Sequence, residues 1–192
     1  MVALVDSEGA KVANMLDGKN VLMIIAPNDF RDEELLEPQR ILIEAGAKVV
    51  VASTKPGEAK GMLGATVTPS TTVDKENANN YCAVIVVGGM GSPEHLWENE
   101  QVHKILQDTL NQRKVVAGIC LSGAVLAKAG VLRGCEATVW ATPESTAALE
   151  QGGATYKRDH VVHDGNVVTA DGPEAAKDFA QAIVKALSTV KV

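Results

Sequence analysis

The segment Ala117-Gly118-Ile119-Cys120-Leu121-Ser122-Gly123-Ala124 surrounds its cysteine with the residues a nucleophile needs. A reactive side chain held on a sharp strand-to-helix turn requires small neighbours two positions before and two positions after it, because the chain folds back on itself there. Gly118 and Ser122 occupy those positions. Such an elbow aims the sulfur into a cleft and sets it at a helix N-terminus. The dipole and unpaired N–H groups there favour thiolate and pull a cysteine from ~8.5 toward roughly 3.5–7.5. The competing reading is a buried structural thiol. Cys82, at the start of an apolar run, and Cys135, in a Gly-Cys-Glu turn, lack the elbow and serve as internal controls.

Two further segments carry chemistry. Phe30-Arg31-Asp32-Glu33-Glu34-Leu35-Leu36-Glu37-Pro38 follows the first apolar run and is rich in carboxylates. The attraction of acidic residues to a helix N-terminus accounts for Asp32 and Glu33. Glu34, beside two leucines, is the one expected to be half-buried, where a protonated carboxyl can hydrogen-bond a sulfur or relay a proton. In Val87-Gly88-Gly89-Met90-Gly91-Ser92-Pro93 the glycines free backbone N–H groups to turn into a cleft. With the N–H of Leu121, that of Gly89 is expected to form an oxyanion hole. No Gly-Lys-Ser/Thr follows, so this is not a phosphate-binding loop. His95, His103, His160 and His163 are expected to be surface or structural histidines, none beside Cys120 and none at a trusted metal-ligand spacing.

The elements that must position these groups alternate along the chain. Residues 20–26, 47–53, 82–87 and 114–119 are short, apolar and rich in β-branched side chains, the pattern of strands buried on both faces. Helical patterns cover residues 32–45, 100–111, 122–129 and, after Pro143, residues 143–149, with a last amphipathic helix over residues 173–187. Residues 64–68 suggest a small excursion off the sheet, residues 137–140 a short strand, and residues 160–169 a hairpin turning at Asp164-Gly165. Such alternation implies an α/β fold: a doubly wound, mostly parallel sheet sandwiched by helices. Sites in such sheets form beyond the carboxyl ends of the strands, where all three segments fall. Residues 1–18 are weakly patterned and are expected to be an extension; residues 19–192 form one domain.

Composition narrows the partners. The chain of 192 residues has a net charge of -6 and 3% aromatic residues, which argues against nucleic acid and anionic membrane. No apolar run is long enough to span a bilayer, and the first residues lack the basic start and apolar stretch of a leader. Three widely spaced cysteines make neither a disulfide framework nor a zinc pair. A reducing cytoplasm, with no metal and no cofactor, is the expectation.

Taken together, Glu34-Leu-Leu-Glu-Pro38, Val86-Val-Gly-Gly89, Ala117-Gly-Ile-Cys120, Ala129-Gly-Val-Leu-Arg-Gly134 and Asp164-Gly-Asn-Val-Val-Thr169, in this order and spacing, resemble the ThiJ/PfpI family. That family includes the Parkinson-linked deglycase and the archaeal intracellular proteases, on a class I glutamine amidotransferase-like fold. The resemblance covers about residues 19–187 and implies a flavodoxin-like sandwich. It implies Cys120 as nucleophile, Glu34 as the acid hydrogen-bonded to it, and Gly89 and Leu121 as oxyanion donors. It also implies a small reactive carbonyl or its adduct as substrate, no cofactor, and a homodimer or larger homo-oligomer. Two positions depart from the family. The protease-like branch carries histidine directly after the cysteine, where this chain has Leu121. The deglycase-like branch carries histidine before a proline after the elbow, where the matching residue here is Thr142. A glyoxalase- or deglycase-like enzyme is therefore the leading expectation. A redox sensor or stress-protective protein acting through Cys120 oxidation is an alternative, as is a peptidase or amide hydrolase.

Overall fold

The computed structural model describes residues 15–189. Most of the expected N-terminal extension lies outside the described residues. The part inside ends in a turn whose Leu16 is fully buried and whose N–H meets Ala45 O at 2.8 Å, so the domain's packing begins at least two residues before Gly18.

The first strand, β1 (Asn20–Ile25), shows why a continuous apolar run makes a central strand. Successive side chains point to opposite faces. Val21, Met23 and Ile25 therefore join one core with Leu35, Leu42, Phe179 and Ile183, while Leu22 and Ile24 join another with Val102, Leu106, Val125 and Leu126. After β2 (Asn28–Phe30), helix α1 (Asp32–Glu44) covers the first face, turning Leu35, Pro38 and Leu42 inward. The chain then forms β3 (Lys48–Ser53), β4 (Ala59–Gly61), β5 (Thr66–Val67), β6 (Thr71–Thr72) and β7 (Ala83–Val86). A single turn, α2 (Ser92–His95), precedes α3 (Glu100–Asn111), which Asn99 caps by accepting the N–H groups of Gln101 and Val102.

Strand β8 (Val115–Ile119) runs into a 3-10 turn, Cys120–Ser122, and then into α4 (Gly123–Lys128). Next come β9 (Glu136–Ala137), α5 (Pro143–Gln151), β10 (Thr155–Tyr156), β11 (Val161–Asp164), β12 (Val167–Ala170) and α6 (Ala176–Thr189). The main sheet has seven strands in the order β11-β12-β8-β7-β1-β3-β6. All pairs are parallel except β11 with β12. This is the doubly wound, flavodoxin-like sandwich expected. The excursion at residues 64–68 is real: β2, β4 and β5 form a separate small sheet. The expected strand at residues 137–140 is shorter, pairing only Glu136 and Ala137 with β10 and leaving Trp140 outside it.

Register positions the site. Val86 pairs with Gly118, and Gly118 with Thr169; Ile119 pairs with Ala170, and Ala170 with Val161. One residue further on, Gly88, Cys120, Asp171 and His160 come out on one level, at the carboxyl ends of β7, β8 and β12 and the adjoining start of β11. Among the described residues no helix is long and apolar enough to cross a membrane.

Candidate active site

Cys120 sits at φ 57, the left-handed region that a residue with a side chain adopts only when its surroundings compel it. The elbow compels it. A Cβ on Gly118 would lie 2.7 Å from Leu126 Cδ1 and 2.9 Å from Ser122 O, so only glycine fits there. Ser122 does more than stay small. Its buried hydroxyl donates to Val87 O at 2.7 Å and stands 2.7 Å from Ser92 Oγ, tying the turn to the end of β7.

Two backbone N–H groups, from Gly89 and Leu121, are aimed at the cysteine's sulfur. Each belongs to a peptide unit braced through its carbonyl. Gly88 O accepts from Arg31 N at 3.0 Å, and Cys120 O accepts from Trp140 N at 3.3 Å. Gly89 has φ 108, and a Cβ there would lie 2.3 Å from Asp29 O, so the close approach of two backbones requires glycine. The N–H groups of Gly89 and Leu121, the two singled out in the sequence, thus both act on the Cys120 sulfur.

Glu34 is fully buried, and its Oε2 accepts the Gly88 N–H at 3.0 Å. Helix α1 presents it on its first turn, and Pro38, one turn later, removes the N–H that would otherwise bond the Glu34 carbonyl. A Cβ placed on Gly88 would meet Glu34 Oε2 at 2.5 Å and Cys120 Cβ at 2.6 Å, which shows how closely acid and thiol flank that glycine. Oε1 is buried without a hydrogen-bond partner, and the carboxyl as a whole interacts with the Cys120 side chain.

The charges are coupled. Burial pushes the Glu34 carboxyl up to about 8, against the opposing pull of Cys120, the Gly88 N–H and Arg31. Burial and the Glu34 charge push the Cys120 thiol up to about 12, and the N–H groups of Gly89 and Leu121 offset only part of this. This corrects the expectation that a helix N-terminus holds the thiol below its ordinary range. The helix is only six residues long, and desolvation outweighs its field. Near neutrality the pair carries two protons, and the first leaves near pH 8. The carboxyl is the more acidic of the two, so the proton that remains lies mainly on sulfur, and thiolate with acid is the minor form of the same species.

Cys120, Glu34, Gly89 and Leu121 line one cleft of about 470 Å³, and Gly118 and Ser122 stand behind it. Cys82 and Cys135 lie elsewhere. Thr142 is absent from the cleft wall: it caps α5, its side chain accepting the N–H of Ser145. Trp140, two residues earlier, occupies the wall. His160 is not beside Cys120 and is exposed, as expected of a surface histidine, but it lines the same cleft with Asp171. Arg31, whose charge acts on both Glu34 and Cys120, also lines it and pairs with Glu33 at 2.8 Å. Among the described residues no group of three or more His, Cys, Asp or Glu side chains is arranged to hold a metal ion.

This combination, a cysteine elbow at the carboxyl end of a parallel sheet with a buried acid behind it, defines a class of α/β proteins built around a single cysteine. The chain belongs to the DJ-1/PfpI family, whose sequence pattern matches residues 19–186. It is 45% identical over 183 residues to an uncharacterized protein of Methanocaldococcus jannaschii, covering 95% of this chain and 89% of that one. It is 32% identical over 166 residues to a deglycase of Pyrococcus horikoshii, covering 86% of this chain and 98% of the relative. The crystal structure of a ThiJ/PfpI domain protein from Brachyspira murdochii superposes with a TM-score of 0.84 at 34% identity, over 91% of this chain and 99% of that one.

Proposed function

We propose that this chain is a cysteine-dependent enzyme that converts small 2-oxoaldehydes, or the adducts they form, to hydroxy acids without an added cofactor. The observation that carries this reading is the Cys120–Glu34 pair under two braced N–H donors. In the singly protonated pair, Sγ attacks the aldehyde carbon as its proton passes to Glu34, and Glu34 returns that proton to the new hydroxyl oxygen. The N–H groups of Gly89 and Leu121 hold that oxygen while it carries charge. Glu34, again a carboxylate, takes the C–H proton of the attacked carbon and returns it to the neighbouring carbonyl carbon, while the hydroxyl proton passes to the neighbouring oxygen, leaving a thioester on Cys120. One carbon is oxidised and its neighbour reduced, so no outside electron acceptor is needed. Water releases the hydroxy acid from the resulting thioester and returns the thiol.

The deglycase name of the P. horikoshii relative supports this substrate class. A cleft of about 470 Å³ also has room for more than a three-carbon aldehyde, which suits adducts on a larger molecule. The test is formation of lactate from methylglyoxal in chelator-treated buffer, with Cys120→Ser as the control. Lactate from wild type and none from the variant is the expected result. No lactate from wild type ends the proposal.

A redox role remains a second reading, because the same two N–H donors and a protonated Glu34 suit the oxygens of an oxidised sulfur. Gain of two oxygens at Cys120 under mild peroxide, without carbonyl turnover, would favour it. The homo-oligomer that the resemblance implies is part of the proposal. Light scattering on the purified chain decides it.

A further inference from the structure

Glu34 has no exposure to solvent, and its Oε2 is taken by Gly88. It can serve the sulfur and the carbon bonded to it, but bulk water cannot reach it. The reaction proposed above ends in hydrolysis, and the attacking water must enter from the open side of the cleft. A base on that side is therefore required, and sequence order alone does not reveal one.

The opposite wall holds a pair suited to the task. His160 Nδ1 lies 2.9 Å from Asp171 Oδ2, and their backbones are joined as well, Asp171 N donating to His160 O at 3.1 Å. A carboxylate only accepts, so the neutral ring carries its proton on Nδ1. Nε2 is left with a free lone pair and no protein partner among the described residues. The side chain of His160 is 78% exposed and that of Asp171 30%, so the imidazole meets water while the carboxylate that holds it is more sheltered. The register places both on the level of Cys120, Asp171 one strand spacing away and His160 two, roughly 5 and 10 Å between backbones. That gap suits a bound acyl group and one water. The Trp140 ring packs on Gly172 beside them, where a Cβ would lie 2.8 Å from Cε3.

We propose that His160 is the general base of the hydrolytic step and that Asp171 is its positioning residue. This rests on the function proposed above. The water oxygen bonds to the thioester carbonyl carbon as its proton passes to His160 Nε2. The C–S bond then breaks, the proton is delivered to the leaving sulfur, and the products are hydroxy acid and free thiol. The Gly89 and Leu121 N–H groups hold the oxygen as they do in the first half.

The experiment is steady-state turnover of methylglyoxal, with mass analysis of the intact protein, for wild type, His160→Asn, Asp171→Asn and, as a control on β11, His163→Asn. Loss of a general base predicts a fall in kcat of roughly 10² or more for His160→Asn. An adduct on Cys120 should accumulate that hydroxylamine releases as a hydroxamate, which identifies a thioester rather than a hemithioacetal. Asp171→Asn should lower kcat with little change in KM, and His163→Asn should match wild type. Because His160 is exposed, added imidazole should restore turnover to His160→Ala. A His160→Asn enzyme within twofold of wild type overturns this inference and leaves the proposed function standing. So does lost turnover with neither thioester nor imidazole rescue. A wild-type enzyme that forms no lactate overturns both.

Discussion

Replacing Glu34 by glutamine tests the buried acid without disturbing its shape. The amide oxygen can still accept the Gly88 N–H, while the titrating proton is gone. In the wild type the carboxyl moves from its usual 4.5 to about 8 on folding, because burial disfavours its charge. Between those values the folded chain holds a proton that the unfolded chain has released, so raising the pH favours unfolding. The stability from this group is full below pH 4.5 and is lost as the pH rises through 8. At about 1.4 kcal/mol per decade the whole effect is on the order of 5 kcal/mol, of which roughly 4 kcal/mol falls between pH 5 and pH 9. Urea denaturation of wild type and Glu34→Gln across that range isolates it, because every titration except that of the coupled Cys120 cancels in the difference. The two proteins should have similar stability at pH 5, and the variant should be the more stable by several kcal/mol at pH 9. Parallel curves for the two would mean that the carboxyl ionises as it does in water, and the argument from burial would be wrong.

Three other changes probe the frame. Gly88→Ala brings a Cβ to 2.5 Å from Glu34 Oε2 and 2.6 Å from both Cys120 Cβ and Ile119 O. It should abolish turnover and lower stability by about 1–3 kcal/mol, read by thermal melting and lactate formation. Ser122→Ala leaves the buried Val87 carbonyl without the hydroxyl that donates to it. A cost of about 1–3 kcal/mol is expected, with a matching drop in urea midpoint. Asp32 accepts the N–H groups of Leu63 and Ala65 at 2.9 and 2.7 Å, pinning the hairpin beside the cleft. Asp32→Asn should speed proteolysis between β4 and β5 while leaving the core melting transition nearly unchanged.

Much of this arrangement is legible in the residues themselves. Runs such as Val21-Leu-Met-Ile-Ile25 are apolar at every position, and only a strand covered on both faces accommodates that. The elbow is legible because the backbone clash at Gly118 is local, and Glu34 because it stands beside leucines one turn before Pro38. What escaped is non-local. His160 and Asp171 meet only because an antiparallel pair brings the start of β11 beside the end of β12, and no spacing of residue types encodes that distance. The position of Asp171 just after an apolar strand was an available signal, since carboxyl ends of strands carry sites. Asp32 passes as an ordinary N-terminal acid until the loop that it binds is in place. The thiol's direction of titration is illegible for a similar reason: the sequence displays the helix that favours thiolate but not the burial and the facing carboxyl that oppose it.

The central claim is that Cys120 and Glu34 act as one unit holding a shared proton. Its most direct measurement is the rate of Cys120 alkylation by iodoacetamide against pH, followed by intact mass in wild type and in Glu34→Gln. The wild-type rate should still be climbing toward a midpoint near 12, and the variant, freed of the facing carboxylate's charge, should reach its midpoint at lower pH. Superimposable profiles for the two proteins, or a wild-type midpoint below neutrality, would show that the sulfur ionises without the acid and would contradict the account.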